Sequence, residues 1–247
     1  YDCDGMKLID NDYGKIKLEK CEGNLDINSR STTIEINDHK GNLNIVSDYT
    51  DIKINNVDGK INIRDRSGDI EIKNAVVHEL DIPYSDLEIR DMVPAYDNNL
   101  KIKGKSSNYS FNKVKSNMEI ESDYTEIRFR EITGSIYFDG KSSKLTGNDL
   151  TGNLELKSHY SNFDFQNLAA KKIKVSQSNN SMNFYLITEP EQIDITNKYG
   201  NIDITMPRGY DGEINLGTRY GKIKSDFDID LKSERSDMTG FTKGKNS

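Results

Sequence analysis

Apolar and polar residues alternate along most of this chain in short runs that recur every eighteen residues. The stretch from Gly41 to Asp58, GNLNIVSDYTDIKINNVD, shows one repeat. With Gly41 as repeat position 1, apolar residues stand at positions 3, 5, 12, 14 and 17. Such alternation is the period of a β-strand with one buried face. Each repeat therefore predicts two short strands whose residues at positions 3, 5, 12, 14 and 17 point inward, while positions 4, 8 and 13 point outward.

The repeat extends over about residues 5–228 as twelve coils. Coils that begin at Gly23, Gly41 and Gly59 fit it closely, and the spacing shortens after Val76. Longer connections interrupt it around residues 92–98, 187–191 and 206–211. From residue 229 the repeat stops and the sequence becomes polar. We therefore predict a repeat domain over residues 1–228, and a partial C-terminal cap with a polar tail over residues 229–247.

A second period of thirty-six residues is superimposed on the first. Position 9 alternates between large and small residues: Tyr13, Ser31, Tyr49, Ser67, Tyr84, Ser106, Tyr124, Ser142, Tyr160, Asn179, Tyr199 and Tyr220. Charge alternates at position 8 (Asp12, Arg30, Asp48, Arg66) and at position 13 (Lys17, Glu35, Lys53, Glu71). Residues eighteen apart face each other only if the coils stack in parallel and in register. The sequence thus predicts an all-β, single-stranded parallel β-helix, a right-handed β-solenoid built from 36-residue double coils.

The tyrosines of position 9 have two interpretations. They could form an aromatic ladder on which sugars stack, or they could pack at a corner of the coil. A small residue follows each of them, and alternation of large and small residues is a packing device. We therefore favour corner packing.

Composition supports a narrow fold. Only 34% of the residues are hydrophobic and 30% are charged, which suits a solenoid that needs few apolar residues per coil. The net charge of −7 comes without a basic block, so we expect no nucleic-acid partner. No apolar run approaches the ~20 residues of a transmembrane segment. Because Tyr1 falls within a coil, we expect a preceding segment to have been removed or left out.

No catalytic or metal-binding constellation stands out. The three histidines, His39, His78 and His159, fall at different repeat positions in distant coils, so we expect structural or surface roles and no metal site. Carbohydrate-cleaving β-helices need carboxylates that converge in a groove, whereas the charged residues here are spread over outward positions. The sequence therefore predicts no catalytic residues and no cofactor.

The two cysteines share repeat position 17. Cys3 and Cys21 are eighteen residues apart, and stacked Cα atoms about 5 Å apart lie within the range that a disulfide accepts. The alternative is two reduced cysteines that fill an otherwise apolar position.

Prolines mark the connections where the repeat is interrupted. All three long connections run from position 17 to position 1, so they should emerge along one edge, the usual place for binding insertions in repeat proteins. Their polar and aromatic members are candidate partner-binding residues: Tyr96, Asp97, Glu189, Arg208 and Tyr210. The alternative is that these insertions are merely tolerated.

The tandem G-N/K-L/I-x-I and S-D-Y-T/G-x-I-x-I units resemble a bacterial family of exported, adhesin-like β-solenoid domains. The resemblance implies a non-enzymatic surface protein, periplasmic, outer-membrane-associated or extracellular, that presents a binding or scaffold surface to a glycan or protein partner. The alternative function is that of a carbohydrate-active β-helix, a polysaccharide lyase or hydrolase. Open solenoid ends would also permit end-to-end self-association.

Overall fold

The computed structural model describes residues 8–92, 94, 99–207, 213–226, 230–234 and 237–242. Within these ranges the protein is all-β, with parallel coils about 18 residues apart and about 12 in number. The predicted β-solenoid is thereby confirmed, while its handedness stays a prediction. The chain divides into two compact units, Tyr1–Thr125 and Glu126–Ser247, which are described in turn.

The first unit contains eleven described strands. They are β1 (Leu8–Asn11), β2 (Gly14–Glu19), β3 (Leu25–Arg30), β4 (Thr32–Lys40), β5 (Leu43–Asp48), β6 (Asp51–Asp65), β7 (Asp69–Pro83), β8 (Asp86–Met92), β9 (Asn99–Lys105), β10 (Asn108–Lys115) and β11 (Asn117–Asp123). Strands of successive coils pair in parallel, as Leu25 with Leu43 in β3 and β5 and Ile34 with Ile52 in β4 and β6. Each coil therefore repeats the strand register of the coil before it.

The inward positions of this unit form a continuous apolar core. In the coil from Gly41, the residues at positions 3, 5, 12, 14 and 17 are each at most 3% exposed: Leu43, Ile45, Ile52, Ile54 and Val57. Asn44 and Lys53, at positions 4 and 13, are exposed, and Asp48 at position 8 is half-buried. The predicted inward and outward pattern is confirmed for this coil. The predicted charge pairing also occurs, with Lys53 Nζ 2.9 Å from Glu71 Oε2.

The shortened coil keeps its core contacts by shifting register. Leu87 pairs with Ile70, seventeen residues away instead of eighteen. The pairing register changes between Val57 and Lys60 and between Ile61 and Asn62, and these irregularities accommodate the shorter coil. The apolar columns continue through the break because side-chain burial fixes which residues must stay inside.

Glycines at position 1 form a second tightly packed column. Gly41 has a φ of +132°, and a Cβ added to it would overlap the carbonyl oxygen of Gly23 in the coil before. A Cβ on Gly59 would overlap the carbonyl oxygen of Gly41 in the same way. Neighbouring backbones approach here so closely that no side chain fits between them.

The inward positions also fit one another in size. Tyr109 occupies position 12 and is fully buried, and a Cβ at Gly104 would overlap its hydroxyl group. Burial raises the pKa of Tyr109, and the hydroxyl groups of Ser122 and Ser107 act in the opposite direction. The glycine therefore makes the space that a buried tyrosine needs.

The second unit contains thirteen described strands. They are β12 (Glu126–Thr133), β13 (Ile136–Lys141), β14 (Lys144–Thr151), β15 (Leu154–His159), β16 (Asn162–Ala169), β17 (Lys172–Ser178), β18 (Met182–Leu186), β19 (Gln192–Asn197), β20 (Ile202–Thr205), β21 (Glu213–Arg219), β22 (Ile223–Ser225), β23 (Asp230–Glu234) and β24 (Asp237–Thr242). Its coils lengthen along the chain, yet Leu154, Ile173, Ile193 and Ile214 still stack in register. The extra residues go into the connections.

Aromatic residues fill the core of the second unit. The ring of Phe165 lies parallel to that of Phe184, with centroids 5.8 Å apart and planes 5° apart. On its other side Phe165 stacks on Phe129 at 6.4 Å, and a Cβ at Gly147 between their coils would overlap the Phe165 ring. Gly147 thus leaves the space that the two phenylalanines fill.

An antiparallel hairpin ends the described ladder of the second unit. Strand β24 pairs antiparallel with β21 and also with β23. Because β24 occupies the edge of β21 that a further coil would otherwise take, it closes that strand edge. The domain boundary at residue 228 stays a prediction, and residues 243–247 lie outside the described ranges.

Candidate functional site: two rows of exposed tyrosines

The tyrosines of position 9 point into solvent. We call Tyr13, Tyr49, Tyr84 and Tyr124 the first tyrosine row, in the first unit, and Tyr160, Tyr199 and Tyr220 the second tyrosine row, in the second unit. Exposure is 74%, 55%, 54% and 52% along the first row and 61%, 40% and 57% along the second. The tyrosines lie at a corner of the coil, as expected, but all except Tyr199 are more than half exposed, so they pack there only in part. Tyrosine is normally better buried than this.

Most of these tyrosines also adopt an unfavourable backbone conformation. Tyr49, Tyr84, Tyr124, Tyr160 and Tyr220 have φ between 57° and 61°, in the left-handed region. This region favours Gly, Asn and Asp, and a bulky residue there is uncommon. The backbone conformation at this corner therefore does not favour tyrosine.

A second corner of the coil, at position 16, has the same left-handed backbone conformation and shows which residue types this conformation usually carries. Most of its described members are Asn or Asp: Asp38, Asn56, Asn74, Asp91, Asp149 and Asn167, besides Lys20, Lys113 and Glu131. Two corners with one backbone conformation thus carry different residue types. Neither burial nor backbone preference accounts for tyrosine at position 9.

We predict that Tyr49→Asn leaves the first unit as stable as before or makes it slightly more stable. Asparagine suits a φ of 58° better than tyrosine, and the exposed ring contributes little burial. Thermal unfolding followed by circular dichroism checks this. A loss of more than about 2 kcal/mol, the scale of a buried aromatic contact, would mean that the ring does pack against the corner.

Cationic side chains lie over some of these rings. Arg66 lies over the Tyr49 ring at 5.5 Å from its centroid and donates from Nη2 to Asp48 Oδ2 at 2.8 Å. In the second row Tyr199 and Tyr220 stack on each other, with centroids 5.2 Å apart and planes 7° apart. The tyrosines of the first row stand in every second coil. The second row ends in two tyrosines of successive coils, which stack on each other.

Behind the corner lies a buried polar column that the sequence pattern did not reveal. Positions 7 and 10 point inward as well, and their hydroxyl and amide groups bond to one another. Ser47 Oγ donates to Asp65 Oδ1 at 2.8 Å, and Ser85 Oγ donates to Asp65 Oδ2 at 2.9 Å. In the second unit Gln177 Nε2 donates to the Ser161 carbonyl oxygen at 2.7 Å. The serines that recur at position 7 are the feature of the sequence from which this buried polar column could have been predicted.

Asp65 is a carboxyl group inside this column, with no exposed surface. Burial raises its pKa, and the hydrogen bonds from Ser47 and Ser85 oppose that effect. Because the folded state binds the proton more tightly than the unfolded chain, this group stabilises the fold most below the ordinary aspartate value of 3.8. The contribution is lost as the pH rises through the folded-state pKa.

We therefore predict that Asp65→Asn gains stability relative to the wild type as the pH rises from 4 to 7. The amide keeps a hydrogen-bond acceptor for the serines and removes the buried charge. Melting temperatures of both proteins across that range test this. A difference that stays constant with pH, or that grows towards low pH, would contradict a raised pKa.

The predicted partner-binding residues are not brought together among the described residues. Glu189 is exposed in the connection after β18, while Tyr96, Asp97, Arg208 and Tyr210 lie outside the described ranges. The connection edge stays a prediction.

The structure also bears on the cysteines and histidines. Cys21 is 1% exposed and disulfide-bonded, and Cys3, the other cysteine of the sequence, lies outside the described residues. His39 is buried at position 17, where burial lowers its pKa. His159 is exposed, and its Nδ1 lies 2.5 Å from Ser178 Oγ.

Neither a metal site nor a membrane helix is found in the part of the chain that the structure describes. No three His, Cys, Asp or Glu side chains there are grouped so that they could hold a metal ion. A helix that could cross a membrane is likewise not found among the described residues. Comparison with known proteins gave no match to a family model, a curated protein or a solved structure.

Proposed function

We propose that this protein is a non-enzymatic, exported β-solenoid that binds a glycan through its tyrosine rows. The observation that carries the proposal is the presence of half-exposed tyrosines at left-handed backbone positions. Residues kept in unfavourable conformations cluster at functional sites. Tyrosine also offers a large, rigid contact area with a polar end at low cost in side-chain entropy.

The spacing of the first row suits an extended polymer. Tyr49, Tyr84 and Tyr124 recur at alternate coils, and stacked strands are ~4.8 Å apart, so the rings repeat about every 9.6 Å. The small residues between them, such as Ser106, leave open space on the same corner. A sugar chain that runs along the coils could place alternate sugar rings over successive tyrosines.

Two further features support an exported surface protein. Disulfides persist chiefly in oxidising compartments, and Cys21 is disulfide-bonded. The repeat units resemble those of exported, adhesin-like solenoid domains.

A carbohydrate-cleaving enzyme would need an accessible acid. Burial raises the pKa of Asp65, as a general acid would require, but this carboxyl group is enclosed in the core and accepts hydrogen bonds from Ser47 and Ser85. A substrate on the surface could not reach it. The enclosed position of Asp65 therefore favours a structural role for its carboxyl group.

A glycan array combined with an assay for released reducing ends tests the proposal. We expect binding without cleavage, and about a tenfold loss of affinity when Tyr49, Tyr84 and Tyr124 are all changed to Asn. The matched control is Ser31→Asn with Ser106→Asn, which alters the same repeat position and backbone conformation without removing a ring. Cleavage of a bound glycan, or unchanged affinity of the triple variant, would overturn the proposal.

A further inference from the structure

We infer that the second tyrosine row binds an acidic glycan, a polymer that carries carboxylate groups. This inference rests on the proposed function and adds the chemical class of the ligand. It comes from the charges beside the rings of the second unit.

A stacked aromatic pair with two cations forms the centre of this surface. Tyr199 and Tyr220 lie face to face 5.2 Å apart. Lys198 Nζ is 5.4 Å from the centroid of the Tyr199 ring, and the Arg219 guanidinium is 5.3 Å from that of Tyr220. Both cations are exposed. A stacked aromatic pair is thus bordered by two positive charges.

Position 8 of this unit carries no carboxylate. Strand pairing stacks Lys141 on His159 and His159 on Ser178, and Lys198 and Arg219 follow at the same position. In the first unit the same position alternates in sign, as in Asp12, Arg30, Asp48 and Arg66. Position 8 of the second unit therefore carries only cationic or neutral residues, in a chain whose net charge is −7.

Among the described residues, Asp237 forms an ion pair with one of these two cations. Asp237 Oδ1 lies 3.4 Å from Arg219 Nε, and the two side chains are 57% and 55% exposed. Exposed ion pairs of this kind are weak, so a ligand carboxylate can replace Asp237. Arginine binds carboxylates through two parallel hydrogen bonds, which would fix the orientation of such a ligand.

An acidic glycan fits these features better than the other ligand classes. A neutral glycan would use the rings but would gain nothing from the cations. A nucleic acid would usually meet a larger basic surface, whereas this chain is acidic overall. Neighbouring coils are ~4.8 Å apart, about the length of one sugar, so the two coils that carry Lys198 and Arg219 can present one cation to each of two successive charged sugars.

The test compares polygalacturonate with the same polymer after full methyl esterification, which removes the charge and keeps the backbone. With the whole chain at low salt, we expect polygalacturonate to bind at least about tenfold more tightly, and the preference to shrink as salt is added. The double variant Lys198→Gln with Arg219→Gln should lose that preference. Lys172→Gln, an exposed cation on β17 at repeat position 2, is the matched control and should retain it.

The outcomes separate this inference from the proposed function. Equal binding of the two polymers, weakened by Tyr199→Ala with Tyr220→Ala, would overturn the acidic preference and leave glycan binding in place. Binding of neither polymer would overturn the inference, and the array would then decide the proposed function by itself. Tighter binding of oligothymidylate than of polygalacturonate would overturn the inference in favour of a nucleic-acid surface.

Discussion

Ile52→Asp should unfold the first unit. Ile52 is 1% exposed and stacks between Ile34 and Ile70 in the middle of the apolar column. The narrow core offers no described basic partner at the inward positions of this coil, so the variant buries an unpaired charge. An uncompensated charge of this kind costs several kcal/mol, on the scale of the total stability of a domain, about 5–15 kcal/mol.

The neighbouring residue supplies the control. Lys53 follows Ile52 on the same strand but is exposed, and its ion pair with Glu71 lies in solvent. Lys53→Ala should therefore cost less than about 0.5 kcal/mol. Chemical denaturation followed by circular dichroism measures both. Equal destabilisation by the two variants would contradict the assignment of inward and outward positions.

Gly41→Ala should be the second most damaging of these changes. Its φ of +132° disfavours any side chain, and the added Cβ would overlap the backbone carbonyl of Gly23. Because that obstacle is backbone, fixed to the next coil by the hydrogen bond that Gly23 N–H donates to the Lys40 carbonyl oxygen, it cannot readily move aside. Backbone strain and overpacking together should cost about 3 kcal/mol or more.

Gly23→Ala separates these two effects. Gly23 also has a positive φ, of +105°, but a Cβ added there meets nothing within 4 Å. We expect it to lose only the conformational part, about 1–2 kcal/mol. Denaturation midpoints of the two variants give the difference. A Gly23→Ala loss as large as that of Gly41→Ala would show that close packing of the coils is not the reason for glycine at this corner.

The sequence predicted the coil stacking because its signal is repeated and physically strict. A shift of one residue would bring Lys53 into the core in place of Ile52, so alternation by itself fixes the register. It could not predict the pairing of Gly147 with Phe165, because that match lies between coils and depends on side-chain size. The polar column around Asp65 was missed for a related reason, since serine and aspartate are read as surface residues by composition.

The tyrosine rows were seen in the sequence, but their exposure to solvent was not predicted. Alternation of Tyr49 with small residues such as Ser31 looks the same whether the ring points inward or outward. In the structure Tyr49 has a positive φ and its side chain points away from the core into solvent, which distinguishes the outward from the inward orientation. No pattern of apolar and polar residues carries that information.

The most direct measurement pairs melting temperature with glycan affinity in a single variant. Changing Tyr49, Tyr84, Tyr124, Tyr160 and Tyr220 to Asn replaces the described position-9 tyrosines that have positive φ. If these tyrosines serve binding, the variant should melt at the wild-type temperature or above it, and affinity for the glycan captured on the array should fall at least about tenfold. A melting temperature lowered by more than about 10 °C, together with unchanged affinity, would show that the tyrosines serve the fold instead.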